Sequence, residues 1–202
     1  MNENVSKLNN LLKHVDTETM PDSELTEQVM NVSVIAPVLK VINDLQRHNL
    51  LKDYAIAGGI AVLYYTEPVL TYDFDVLCVF PDSGLLVDPT PVFEYLNSLG
   101  YEFGKEDRVN IEGVPVQFIP ASPGLVEEAL QHAVNVTISG VQTKILTVEY
   151  LIAMMLQLYR PKDRAKIDLL IHNEEVSIDM TTLQSIITTY HLIERWKRLS
   201  DE

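Results

Sequence analysis

Two aspartates one residue apart, Asp73 and Asp75, follow a Gly58-Gly59 pair, with thirteen residues between Gly59 and Asp73. On a strand, side chains two positions apart point to the same side of the sheet, so the two carboxylates stand together. Their repulsion calls for a cation, and Mg²⁺ prefers hard oxygen ligands of this kind. The glycine pair ends a short apolar segment, 53–57, that reads as a buried strand, and precedes a compact apolar helical turn at 60–65. Backbone without side chains lets a ligand approach closely. The unpaired N–H groups at a helix start suit phosphate. Singly, each feature has a plainer reading: Gly-Gly is often only a tight turn, and an Asp at a strand start is often only solvated. Order and spacing together describe a site for a metal-chelated phosphate between Gly58-Gly59 and Asp73/Asp75.

This stretch resembles the polymerase-β-like nucleotidyltransferase superfamily. Its signature is a hydrophobic residue, Gly, Gly or Ser, a spacer, then Asp-x-Asp or Asp-x-Glu. Here it stands as Ala57-Gly58-Gly59 through Asp73-Phe74-Asp75, with a spacer at the long end of the family's range. Residues 113–120 and 150–164 are similar to the bacterial branch, which includes minimal nucleotidyltransferases and toxin-like enzymes of abortive-infection systems. The resemblance covers residues 35–172. It implies a nucleoside triphosphate bound with Mg²⁺, with Gly58, Gly59 and Thr71 on the nucleotide and Asp73 and Asp75 as metal ligands and catalytic residues. A third acid on a neighbouring strand completes the site in such relatives and helps to activate the attacking hydroxyl. Two departures stand out. Val69 replaces the Arg of an Arg-x-Thr-x-Asp run, although Thr71 is kept, and the expected third carboxylate falls at Gln117. Gln is neutral and cannot act as a base; Glu112 and Asp107 are other acids near enough in sequence to fill that corner.

Lys144, Arg160, Lys162, Arg164 and Lys166 are five of the fifteen basic residues, opposed between 144 and 166 only by Glu149 and Asp163. On a helix after Pro161, Lys162 and Lys166 share one face, and Arg164 and Asp168 another. Arg164 with Asp168 reads as an ordinary surface pair worth tenths of a kcal/mol. The alternative is that Lys162 or Arg164 reaches a nucleotide phosphate, work that Arg and Lys commonly do in phosphoryl transfer. The resemblance favours the second reading.

The elements that must position these groups follow from pattern. A helix from Pro37 carries Val38, Val41, Ile42 and Leu45 at helical spacing. Strands are expected at 53–57, 71–80, 108–112 and 114–119, and a hairpin at 133–145 around Ser139-Gly140. The 71–80 strand is apolar on both faces beyond Asp75, which marks a central strand. Helices are expected at 91–99, 123–132, from a cap at Thr147, from Pro161 to about 172, and within 179–199. The fold class is α/β (α+β): a nucleotidyltransferase-like mixed sheet core with flanking helices and a helical C-terminal part. The organisation is an N-terminal helical extension at 1–34, a core at 35–146 and a C-terminal part at 147–202.

Composition narrows the function. At 202 residues and 47% hydrophobic, the chain can bury a sizeable core. No apolar run approaches the roughly 18 residues of a membrane span. The polar N-terminus and the single cysteine, Cys78, lead us to expect a cytoplasmic protein without a membrane partner. A net charge of −14 argues against general DNA binding. The five histidines lack zinc spacing, and neither a P-loop nor a serine nucleophile elbow occurs.

Two readings stand open. The first is an enzyme that moves a nucleotidyl group from Mg-NTP to a hydroxyl on a protein, RNA or small molecule. The second is a catalytically impaired binding module on the same fold, for instance a toxin–antitoxin component. That module would sense nucleotide or act as a protein partner; in the enzyme, and in a nucleotide sensor, Asp73 and Asp75 carry the Mg²⁺-dependent binding. Calorimetry should show nucleotide affinity that rises with Mg²⁺ in the wild type and not in Asp73→Asn/Asp75→Asn. Equal affinities in the two proteins would overturn the assignment.

Overall fold

The structure, a computed structural model, describes residues 34–66, 73–81, 87–104 and 108–201. The expected N-terminal extension apart from Val34, together with Val69, Thr71 and Asp107, lies outside the described residues. Helix α1 (Ile35–Arg47) buries Val38, Val41, Ile42 and Leu45 as their spacing dictates, with Ile35 and Leu39 beside them. Pro37 falls in its first turn, where a missing N–H costs nothing.

Strand β1 (Asp53–Ile56) leads into α2 (Gly58–Tyr65), whose residues from Gly59 to Tyr64 are buried. The glycines are thus the first two residues of the helix rather than a turn ahead of it. Strand β2 (Phe74–Val79) follows, then α3 (Thr90–Ser98), β3 (Glu102–Phe103), β4 (Arg108–Ile111) and β5 (Val114–Pro120). After α4 (Leu125–Gln131), β6 (Val134–Ile138) and β7 (Val141–Ile145) form the expected hairpin, with Ser139 and Gly140 both at positive φ. Four helices close the described chain: α5 (Val148–Leu158), α6 (Pro161–His172), α7 (Met180–Thr189) and α8 (Ile193–Asp201).

The strands form a seven-stranded sheet in the order β3-β4-β5-β2-β1-β7-β6. The β2–β5 and β1–β7 pairs are parallel and the others antiparallel. Strand β2 lies in the interior of the sheet, and its Val76, Leu77 and Cys78 are fully buried, as a run apolar on both faces requires. Helices α5 and α6 pack on α2, and α4 packs on α5, so the C-terminal helices rest against the element that begins at the glycines. Among the described residues no helix is long and apolar enough to cross a membrane.

Two details differ from the pattern. Strand β3 is a two-residue exposed edge, too short to leave an alternating signature. Thr147 sits at the N-cap of α5 with extended backbone, but its side chain makes no capping hydrogen bond.

Gly58 has φ +57°, and a Cβ built on it would lie 1.9 Å from Asp75 Oδ2. Gly58→Ala should therefore unfold earlier than wild type. A left-handed non-glycine residue costs roughly 1–2 kcal/mol before the displacement of Asp75 is counted. Denaturant unfolding measures this, and a variant as stable as wild type would show that the turn relaxes freely.

Candidate functional site

Strands β1 and β2 pair antiparallel with Ile56 opposite Val76, and the Ala57 N–H donates to the Asp75 carbonyl at 2.9 Å. This register brings the C-terminal end of β1 and the start of α2 against the N-terminal end of β2. Asp75 lies on β2 and Asp73 immediately before it, so period-2 alternation sets both carboxylates opposite the buried side chains of Phe74 and Val76. Ala57 gives α2 no side-chain cap, so the first N–H groups of α2 open beside Asp75. Gly58 and Gly59 are held at this junction, Gly59 buried and Gly58 against the Asp75 carboxylate.

The side chain beside Asp75 on the neighbouring strand is neutral. Gln117 is the register partner of Asp75 across the β2–β5 pair, and Val116 and Phe118 point to the opposite, buried face. One strand further out, Arg108 is the register partner of Gln117. Its guanidinium returns across the row to Asp73, with Nη2 donating to Oδ2 at 3.3 Å. The row thus reads carboxylate, amide, guanidinium. Glu112 lies in the β4–β5 turn, where it accepts from the Tyr101 hydroxyl at 2.7 Å, and so does not fill the corner. Asp107 lies outside the described residues.

Helix α6 brings further cations. Its start is fixed by a reciprocal cap: Asp163, 2% exposed, accepts from the Arg160 N–H at 3.1 Å and from Arg160 Nε at 2.7 Å. Burial raises the pKa of Asp75, and the neighbouring Asp73 charge raises it further. Lys166, Lys162 and Arg108 pull it back. Burial depresses Lys166, as does Lys162 nearby, while Asp73 and Asp75 support its charge. Lys166 therefore lies within electrostatic reach of both aspartates, and Lys162 within reach of Asp75. Arg164 lies two residues further along than Lys162, about 200° around the helix. It sits over the Tyr159 ring, 5.4 Å from the centroid.

Sequence reading singled out Gly58, Gly59, Asp73, Asp75, Gln117 and Lys162, and the structure brings these together. It adds Arg108 and Lys166 and turns Arg164 to Tyr159. Lys166 was legible as the neighbour of Lys162 four residues on. Nothing local marks Arg108, because its place depends on two strand pairings. Lys144, part of the same basic stretch, instead holds Asp53 through both carboxylate oxygens, at 2.7 and 2.8 Å.

The donor set fits one kind of metal binding. Among the described residues no group of three or more His, Cys, Asp and Glu side chains forms a metal site. Mg²⁺, however, is commonly held by one or two carboxylates together with substrate phosphates. Asp73 and Asp75 supply that pair, and the raised pKa of Asp75 reflects a charge that a divalent cation would relieve.

That strain has a sign. The folded Asp75 pKa is raised above its ordinary value of 3.8, so its contribution to stability is complete below that value and is lost as pH rises through the folded pKa. Asp75→Asn should therefore melt higher than wild type near pH 7 without divalent metal, and the gap should close as pH falls toward the ordinary carboxylate range. Thermal melts across pH decide it, and an Asn variant less stable at pH 7 would contradict the electrostatic account.

No family model matches the chain, and no curated protein matches it in sequence. Solved structures do match. One is an antigenic nucleotidyltransferase-like protein from Paracoccidioides brasiliensis, at 18% identity and a TM-score of 0.53, over 84% of this chain and 90% of that one. Another is the solution structure of the antibiotic-resistance factor ANT(2'')-Ia, at 16% identity and a TM-score of 0.50, over 84% and 99% of the two chains. A third is the crystal structure of ANT(2'')-Ia in complex with adenylyl-2''-tobramycin, at 17% identity and a TM-score of 0.50, over 79% and 98%. At such identities the likeness is one of architecture: the chain has a nucleotidyltransferase-like mixed α/β fold.

Proposed function

We propose that this protein binds a nucleoside triphosphate with Mg²⁺ in the cleft between Gly58-Gly59 and Asp73/Asp75, and that it transfers the nucleotidyl group slowly or not at all. The observation that carries this reading is the row Asp75–Gln117–Arg108, in which an amide and then a guanidinium extend from the aspartate pair. Asp73 and Asp75 would hold the metal, which when bound offsets charge on the phosphates and orients them. The start of α2 offers N–H groups to the same phosphates, and Lys162 and Lys166 add positive charge from α6.

Transfer would join an acceptor oxygen to the α-phosphorus and release pyrophosphate, and the acceptor hydroxyl must lose its proton. The Gln117 carbonyl oxygen lacks the basicity to take that proton. Arg108, ion-paired with Asp73, adds positive charge on the same flank and disfavours a second divalent cation there. Binding is thereby retained while activation of the acceptor is weakened. The fully active reading draws on the retention of both aspartates beside Gly58, with an acceptor hydroxyl on a protein, RNA or small molecule. The resemblance of residues 113–120 and 150–164 to a bacterial branch that includes abortive-infection toxins is what suggests a toxin–antitoxin setting for the impaired reading.

Calorimetry with each of the four NTPs and Mg²⁺ tests the binding half, and labelled NTPs with cell extract as acceptor source test the transfer half. Gln117→Asp should tighten metal binding and raise transfer. A positioned general base is typically worth about 10²- to 10⁴-fold, so the gain is easy to detect. Robust wild-type transfer that Gln117→Asp leaves unchanged would overturn the impaired reading.

A further inference from the structure

We infer that Arg108 is an exchangeable counter-ion: it pairs with Asp73 while the site holds no metal, and turns to a polyphosphate when a divalent cation takes Asp73. This rests on the reading of the cleft as a nucleotide site and adds a residue that the motif does not contain.

Register is the first support. Arg108 lies two strands from β2, about 10 Å at ordinary strand spacing, yet its guanidinium reaches Asp73 across Gln117. Gln117, the directly opposed partner of Arg108, carries no charge to compete with Asp73 for the guanidinium. The neutral amide lets the guanidinium pass on to Asp73.

Exposure is the second. The Arg108 and Asp73 side chains are 28% and 25% exposed, so water reaches the pair and it can exchange partners. A deeply buried pair would leave an uncompensated charge on separating.

Charge is the third. A divalent cation on Asp73 repels Arg108 from that carboxylate, and the polyphosphate that accompanies the cation presents a stronger anion to it. Guanidinium matches phosphate geometry through parallel N–H bonds. Lys162 and Lys166 approach the same aspartates from α6, whereas Arg108 comes from the sheet. A polyphosphate in the cleft would meet cations from both sides.

The exchange predicts effects of opposite sign from one substitution. Arg108→Gln should bind Mn²⁺ alone more tightly than wild type, by about tenfold or more, since a close charge shifts such equilibria by one to three decades. It should bind inorganic tripolyphosphate with Mg²⁺ about tenfold or more weakly, having lost a charged hydrogen-bonding group. Arg108→Lys, which keeps the charge, should bind Mn²⁺ within a few-fold of wild type. Electron paramagnetic resonance reads the Mn²⁺ and calorimetry the tripolyphosphate, with circular dichroism reporting the fold. Asp73→Asn supplies an arm that leaves Arg108 in place. It should improve tripolyphosphate binding in chelator more than Asp75→Asn does, because only the former removes the Arg108–Asp73 ion pair.

Unchanged or weaker Mn²⁺ binding by Arg108→Gln would overturn the exchange. So would undiminished tripolyphosphate binding by that variant, no tripolyphosphate binding by wild type, a Lys variant that binds Mn²⁺ like the Gln variant, or equal gains in the two Asn variants. Nucleotide binding by wild type is read separately with the four NTPs, so failure of the nucleotide reading and failure of the Arg108 exchange are distinguishable.

Discussion

The contact of Gly58 with the Asp75 carboxylate is the constraint on which the site depends. Only a residue without a Cβ fits there, because the space a Cβ would take is already filled by Asp75 Oδ2. The left-handed φ of Gly58 turns the chain from β1 into α2 at that point. One glycine therefore sets two things together: the direction of the helix and the distance between its first N–H groups and the acidic pair. The hydrogen bond from Ala57 to the Asp75 carbonyl fixes the same junction through the backbone.

Around that junction the sheet is built to be rigid. Strand β2 is bonded on both sides, to β1 and to β5, and its apolar residues are sealed by helices. Such an interior can hold Asp75 in place although burial and the Asp73 charge both oppose its ionisation. The stability lost there is supplied by packing elsewhere, notably by α5, which is buried along nearly its whole length. Asp163 does a related task on α6. It is the most deeply buried of the charged side chains described and is satisfied by Arg160, which fixes the start of the helix that presents Lys162 and Lys166.

The balance of charge is the unusual feature. The chain as a whole carries −14, yet among the described residues Lys166, Lys162, Arg108 and Arg160 all lie within electrostatic reach of Asp75, with Asp73 as the opposing carboxylate. Positive charge is thus concentrated beside Asp75 while the chain as a whole is acidic. It also explains how two aspartates can lie side by side: Arg108 and the lysines of α6 partly offset their mutual repulsion.

Short-range pattern carried much of this. Helical spacing of Val38, Val41, Ile42 and Leu45 determined the buried face of α1, and the doubly apolar run after Asp75 marked β2 as an interior strand. Alternation placed Gln117 opposite Val116 and Phe118, and four-residue spacing put Lys162 and Lys166 on one face. Each of these is a local periodicity, set by backbone geometry within a few residues. Tertiary structure decided what such periodicity cannot encode. Arg108 reaches Asp73, 35 residues away in sequence, only through the registers of β5 with β2 and of β4 with β5. Lys162 and Lys166 come within electrostatic reach of Asp75 because α6 packs on α2. The clash that reserves position 58 for glycine arises from a strand pairing, not from the turn alone. Register and helix docking are properties of the assembled core, where many weak apolar contacts jointly select one arrangement, and no single stretch of sequence carries them.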